Sequence, residues 1–189
     1  MKINGLILRA TPNRGRMWTL ELFTEQLGRA VLSAVAEAST GFGPFCLIEA
    51  EAEERTGLLV SRTVEIIDTF TSIRSQPQAS KAALVLRAIL EQSLPMRAPA
   101  EETWKLVVSL LETLPSFRDW KAAPLLLALT LFEHEGIVPC SLAEMPALSE
   151  EGRRVIQLLL ESDEKVWKET EVPEDVLKAA LETINVKNM

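Results

Sequence analysis

The chain has 189 residues, 47% of them hydrophobic and 25% charged, with a net charge of −7. That is a globular composition, long enough for one large domain or two small ones. No apolar run reaches the roughly 20 residues that cross a bilayer, and Met1 to Thr11 lacks the basic head and apolar stretch of a secretory leader, so a cytoplasmic chain with no membrane partner is expected. Residues 1–75 hold eight Lys/Arg against nine Asp/Glu (−1), and residues 76–189 hold twelve against eighteen (−6). Since phosphate neutralisation by Lys and Arg supplies most non-specific nucleic-acid affinity, only a local basic patch can serve that purpose here.

From Ile3 to Thr69 the sequence alternates, or runs apolar in short stretches, between turn residues, the pattern of successive strands. Five are predicted: Ile3–Ala10, Arg16–Thr24, Gly28–Ala36, Phe45–Glu53 and Leu58–Asp68. Glu49, Glu51 and Glu53 alternate with Ile48, Ala50 and Ala52, which makes one face of the fourth strand wet and acidic. Five short strands in about seventy residues hide their edges best by closing, and the five-stranded Greek-key barrel, the OB-fold, is the common solution, with an SH3-like barrel as the competitor.

After Ser75-Gln76-Pro77 the period lengthens to nearly four. Ala82, Val85, Leu86, Ile89 and Leu90 share one helical face, which breaks at Leu94-Pro95, and Trp104, Val107, Val108, Leu111 and Leu114 repeat the pattern in a helix begun at Pro99. Trp120 to Glu135 is apolar nearly all round and is expected to be the central helix, ended by Gly136. Pro139 to Pro146 reads as a loop, Ser149 as the cap of a helix through Leu160, and Pro173 as the start of a last helix through Ile184. The expected organisation is α+β: a five-stranded OB-fold β-barrel at the N-terminus, residues 1–75, followed by an all-α helical domain, residues 76–189.

Few groups converge for chemistry. No nucleophile elbow, P-loop or dinucleotide fingerprint is present, and Gly41-Phe42-Gly43 runs into Pro44 rather than into a helix. Cys46, Cys140 and His134 are too few for a structural zinc site, so neither metal nor cofactor is expected and the thiols read as buried. His134 reads as a helix-end residue, and Glu101-Glu102, Glu150-Glu151 and Asp163-Glu164 as solvated charge at helix termini. An enzyme is not expected. Trp104 falls on an apolar helix face and reads as core. Trp18 lies beside Arg16, an arrangement that can stack a base and hold a phosphate, yet it also shares a face with Leu20 and Leu22 and can belong to the barrel core.

The block Leu6-Ile7-Leu8-Arg9-Ala10-Thr11-Pro12, the segment Thr19 to Arg29 with its Leu22-Phe23-Thr24 and Gly28, and the stretch Gly43 to Glu49 together resemble the bacterial DNA repair protein RecO family. The resemblance continues through Leu58 to Phe70, Ala83 to Arg87 and Leu129 to Pro139. It implies an OB-fold and a helical domain, and a mediator that binds single- and double-stranded DNA, anneals strands, and loads RecA together with RecR and the single-strand DNA-binding protein. Three departures stand out. The family's four-cysteine zinc module is reduced to Cys140 followed by Ser141 to Leu148, its basic run after the third strand is replaced by Ala36 to Thr40, and Gly15 stands where an acidic turn residue is usual. The basic residues in and around the first three strands, Lys2, Arg9, Arg14, Arg16 and Arg29, with Trp18, are the candidate DNA contacts. Arg118, Trp120 and Lys121 are the candidate contacts for the acidic tail of the single-strand DNA-binding protein. A scaffold of the same fold with weak or no DNA binding is the alternative.

Overall fold

A computed structural model of the chain describes residues 1–36, 41–56, 58–134 and 148–187. Five strands come first: β1 (Lys2–Pro12), β2 (Met17–Thr24), β3 (Gly28–Val35), β4 (Leu47–Arg55) and β5 (Leu58–Asp68). Seven helices follow among the described residues: α1 (Thr71–Ser75), α2 (Pro77–Ser93), α3 (Glu101–Thr113), α4 (Ala122–His134), α5 (Glu150–Glu161), α6 (Glu164–Glu169) and α7 (Glu174–Lys187). The architecture is α+β, an OB-like barrel and then helices, and each strand matches its predicted span to within about two residues. No helix among the described residues is long and apolar enough to cross a membrane. The chain divides into two compact units, one of residues 1–71 with 94–105, the other of residues 72–93 with 106–189. The barrel unit thus takes in a later segment that a division at residue 75 assigns to the helices.

The barrel closes in the order β1-β2-β3-β5-β4, with β3 and β5 parallel over Leu32–Ala34 and Leu59–Ser61 and the other pairs antiparallel. This Greek-key order is the OB arrangement, which settles the choice that strand counting left open. Alternation places Ile3, Ile7, Leu20, Leu22, Leu32, Ile48 and Leu59 in one fully enclosed core. Closure needs curvature, and shifts of register at Ile7/Arg9 and at Glu51/Ala52 supply it. Buried Ser61 pins the second shift: its hydroxyl lies 2.7 Å from the Glu51 carbonyl and accepts from the Thr63 amide.

Residues 94–105 form a strap on the barrel. Met96 bridges to Arg29, the Arg97 amide donates to the Arg29 carbonyl (2.8 Å), and Trp104 meets Phe23 edge-on at 5.5 Å. Phe23 points away from the barrel core, so without the strap a large ring would stand in water. Gly28 makes this approach possible. Its φ is +61°, and a Cβ there would stand 1.9 Å from the Ala98 carbonyl oxygen. Thr24, fully buried, closes the β2–β3 turn by donating to the Gly28 carbonyl and accepting from the Leu27 amide.

In the helical unit α4 is the centre. Every residue from Ala122 to Leu129 is buried, and α2, α6 and α7 pack around it. Ser149 caps α5 by accepting from the Gly152 amide (3.0 Å), and Asp175 on α7 holds the Ser149 amide (2.8 Å). The Trp167 indole donates to the Leu159 carbonyl (2.9 Å). Gly136, the Pro139–Pro146 loop and Cys140 lie outside the described residues.

Candidate functional site

OB barrels commonly take oligonucleotides on the outer face of the second and third strands and on the loops joining strands one to two and four to five. Here the register defines that wall. Outward from β2 stand Met17, Thr19 and Glu21, which pair with Val35, Ser33 and Val31 of β3. The parallel register sets Leu58 level with Val31 and Val60 beside Ser33. The wall is therefore mainly apolar and hydroxyl-bearing.

The five candidate cations fall into three environments. Lys2 is paired with Glu49 at 2.7 Å, and Arg9 with Glu21 at 3.7 Å across the β1–β2 ladder. Half-buried Arg29 sends a guanidinium nitrogen to the Leu94 carbonyl (3.2 Å), holding the strap. Arg14 and Arg16 are both exposed in the β1–β2 turn, where the Asn13 amide bonds the Met17 carbonyl and the Ala36 amide the Arg16 carbonyl. Of the five candidates, only this arginine pair lies in a loop that the fold uses for ligands.

Trp18 sits against the barrel core with Leu20 and Leu22, its ring edge-on to Phe42 at 5.5 Å. Its face is not presented on the outer wall. Phe42, which in the sequence reads only as part of a turn, is the plug that fixes it. Phe23, Phe42, Phe45, Phe70 and Trp104 are buried, which leaves partly buried Trp18 as the most exposed of the described aromatics of the barrel unit.

The β4–β5 side is acidic, as the alternation of Glu49, Glu51 and Glu53 predicts, and the register sets Glu65 directly opposite Glu49. A hollow of about 440 Å³ there is lined by Lys2, Glu51, Glu53, Arg55 and Arg62. Arg55 bonds Glu53 at 2.6 Å and is the main cause that holds this carboxyl below its ordinary value.

In the helical unit Arg118, Trp120 and Lys121 do share one cleft, of about 420 Å³. Its charges are already matched. Arg118 pairs with Glu171 (2.6 Å), while Lys121, only 16% exposed, lies 3.5 Å from both Asp119 and Glu174. Lys81, which periodicity does not single out, stands 4.1 Å over the Trp120 ring. An acidic peptide entering here must exchange existing ion pairs for new ones.

No family model and no curated protein matches the chain.

Proposed function

We propose that this protein is a RecO-type DNA repair mediator, which binds DNA, anneals complementary strands and, with RecR and the single-strand DNA-binding protein, assists RecA loading. One observation carries the reading: a closed OB-type barrel presents Arg14 and Arg16 on its β1–β2 turn, and the chain continues into a helical unit. The sequence resemblance supplies the biological role. The mediator brings strands and proteins together and catalyses no covalent step. With Lys2, Arg9 and Arg29 engaged inside the barrel unit and the Trp18 ring packed against Phe42 and the core, DNA contact is electrostatic, small and salt-labile.

The test is annealing of two complementary oligonucleotides at low salt, followed by fluorescence transfer. Wild type accelerates annealing, and Arg14→Ala with Arg16→Ala removes most of the acceleration while leaving the melting temperature unchanged. Acceleration that survives the double substitution rejects the site.

The second reading is a scaffold of the same fold that holds proteins and barely touches DNA. The paired state of Lys2 and Arg9 favours it. It predicts no annealing at any salt concentration, with partner binding retained.

A further inference from the structure

On the outer wall of the barrel the register lines up three side chains across three strands. Thr19 of β2 lies directly opposite Ser33 of β3, and Ser33 lies beside Val60 of β5. All three are half-buried, and the row stands two residues, about 7 Å, along β2 from Met17, where the arginine-bearing β1–β2 turn enters the strand. We propose that this row contacts one base of a bound single strand and prefers thymine, a specificity that rests on the DNA binding proposed above.

Hydrogen-bonding capacity selects the base. The Asn13 amide donates to the Thr19 hydroxyl (2.8 Å), which leaves Thr19 its own proton to donate outward. The Ser33 hydroxyl bonds no other described residue, so it is able both to donate and to accept. Residues directly opposite hold their Cβ atoms about 5 Å apart, close enough for one base to reach both. Thymine presents carbonyl acceptors at O2 and at O4, whereas cytosine carries an amino donor in place of O4. A committed donor at Thr19 therefore meets an acceptor at either end of thymine and at one end only of cytosine. Ser33 donates to O4 and accepts from the N3–H between the two carbonyls.

Order selects thymine over uracil. With O2 on Thr19 and O4 on Ser33, the C5 methyl, next after O4 around the ring, points to Val60, next after Ser33 across the sheet. Apolar contact is how a protein recognises that methyl. Val31 and Val35, on either side of Ser33 along the same face of β3, widen the apolar rim. None of these side chains is charged, so the row adds nothing to counterion release and leaves the salt dependence to the arginines.

The experiment measures anisotropy of dT20, dU20 and dC20 at low salt on wild type, on Thr19→Val/Ser33→Ala, on Thr19→Ser, which keeps the hydroxyl, and on Val60→Thr, each at unchanged melting temperature. Wild type should bind dT20 about threefold more tightly than dU20 for the partly buried methyl, and about tenfold more tightly than dC20 once the hydrogen bond is added. Thr19→Val/Ser33→Ala should bring dU20 and dC20 to equal affinity, Val60→Thr should bring dT20 down to dU20, and Thr19→Ser should keep the wild-type order. The salt slope should be the same in all four proteins. Equal binding of the three oligonucleotides by wild type, or a wild-type order that survives both Thr19→Val/Ser33→Ala and Val60→Thr, overturns the proposal and leaves the DNA reading standing. Equal weakening of all three by Thr19→Val/Ser33→Ala assigns the hydroxyls to the sugar–phosphate backbone, with the same consequence. No binding of any of the three even at the lowest salt rejects the DNA reading and takes the base preference with it.

Discussion

Two glycines at positive φ test how the strap is held. Gly15 (φ +71°) has open space, with nothing within 4 Å of where a Cβ would stand, whereas a Cβ on Gly28 (φ +61°) would meet the Ala98 oxygen at 1.9 Å. Alanine at either site costs about 1–2 kcal/mol for left-handed backbone. At Gly28 the carbonyl must also retreat by well over an ångström. That breaks the Arg97–Arg29 backbone bond, worth about 1 kcal/mol, and loosens the Phe23–Trp104 contact, worth about 1 kcal/mol beyond its buried area. Gly28→Ala should therefore cost about 3–4 kcal/mol against about 1–2 for Gly15→Ala. For a unit of this size about 1 kcal/mol shifts the melting temperature by about 4–8 °C, so the two variants should differ by roughly 10 °C or more. Calorimetry of both variants beside wild type measures it. Equal shifts would refute the close approach of the strap to β3.

Ser149→Ala removes the α5 cap and should cost about 1 kcal/mol in urea unfolding of the helical unit. Asp175 has its carboxyl held below the ordinary value by hydrogen bonds from the Ser149 backbone and side chain. A depressed folded value means stability that is present above the unfolded carboxyl range and lost as pH falls through the folded one. Wild type should thus lose stability below about pH 4 faster than Asp175→Asn, and parallel pH profiles would remove this linkage. Trp18→Ala, taking a partly buried ring from against the barrel core, should cost about 1.5–3 kcal/mol yet change oligonucleotide affinity less than about twofold at a temperature where the variant is folded. A large affinity loss at retained stability would place a base on that ring.

The strands are legible in the sequence because each buries one face. β3 shows the period of two residue by residue, with Ala30, Leu32 and Ala34 inside and Val31 and Ser33 half out. Central α4 is legible for the opposite reason, being apolar on every side. The closing pair β3–β5 is not, since a parallel contact between residues 32–34 and 59–61 leaves no local signature. The strap escapes for a related reason: Trp104 lies in register with the α3 apolar face, and nothing local says that it covers Phe23. Short α6 and α1 carry too few turns to show a period. At the site, basic residues close in sequence suggest a patch of five. Pairing instead brings Glu21 to Arg9, Glu49 to Lys2 and the Leu94 carbonyl to Arg29, contacts that depend on register and on the strap. The outer wall, apolar and hydroxyl-bearing, is hidden because Val31, Ser33, Val35 and Val60 read as ordinary strand residues until the register shows which side is outside.

The salt dependence of single-stranded DNA binding tests the central claim most directly. Single strands release about 0.7 counterions per neutralised phosphate, so a plot of log K against log salt concentration counts the cations engaged. With Arg14 and Arg16 the candidate pair presented on the turn, dT20 binding followed by anisotropy between low and physiological salt should give a slope of about −1.4. Arg14→Ala/Arg16→Ala should bring that slope close to zero. A slope of about −3.5, as for five engaged cations, or a wild-type slope retained by the double variant, would contradict the account.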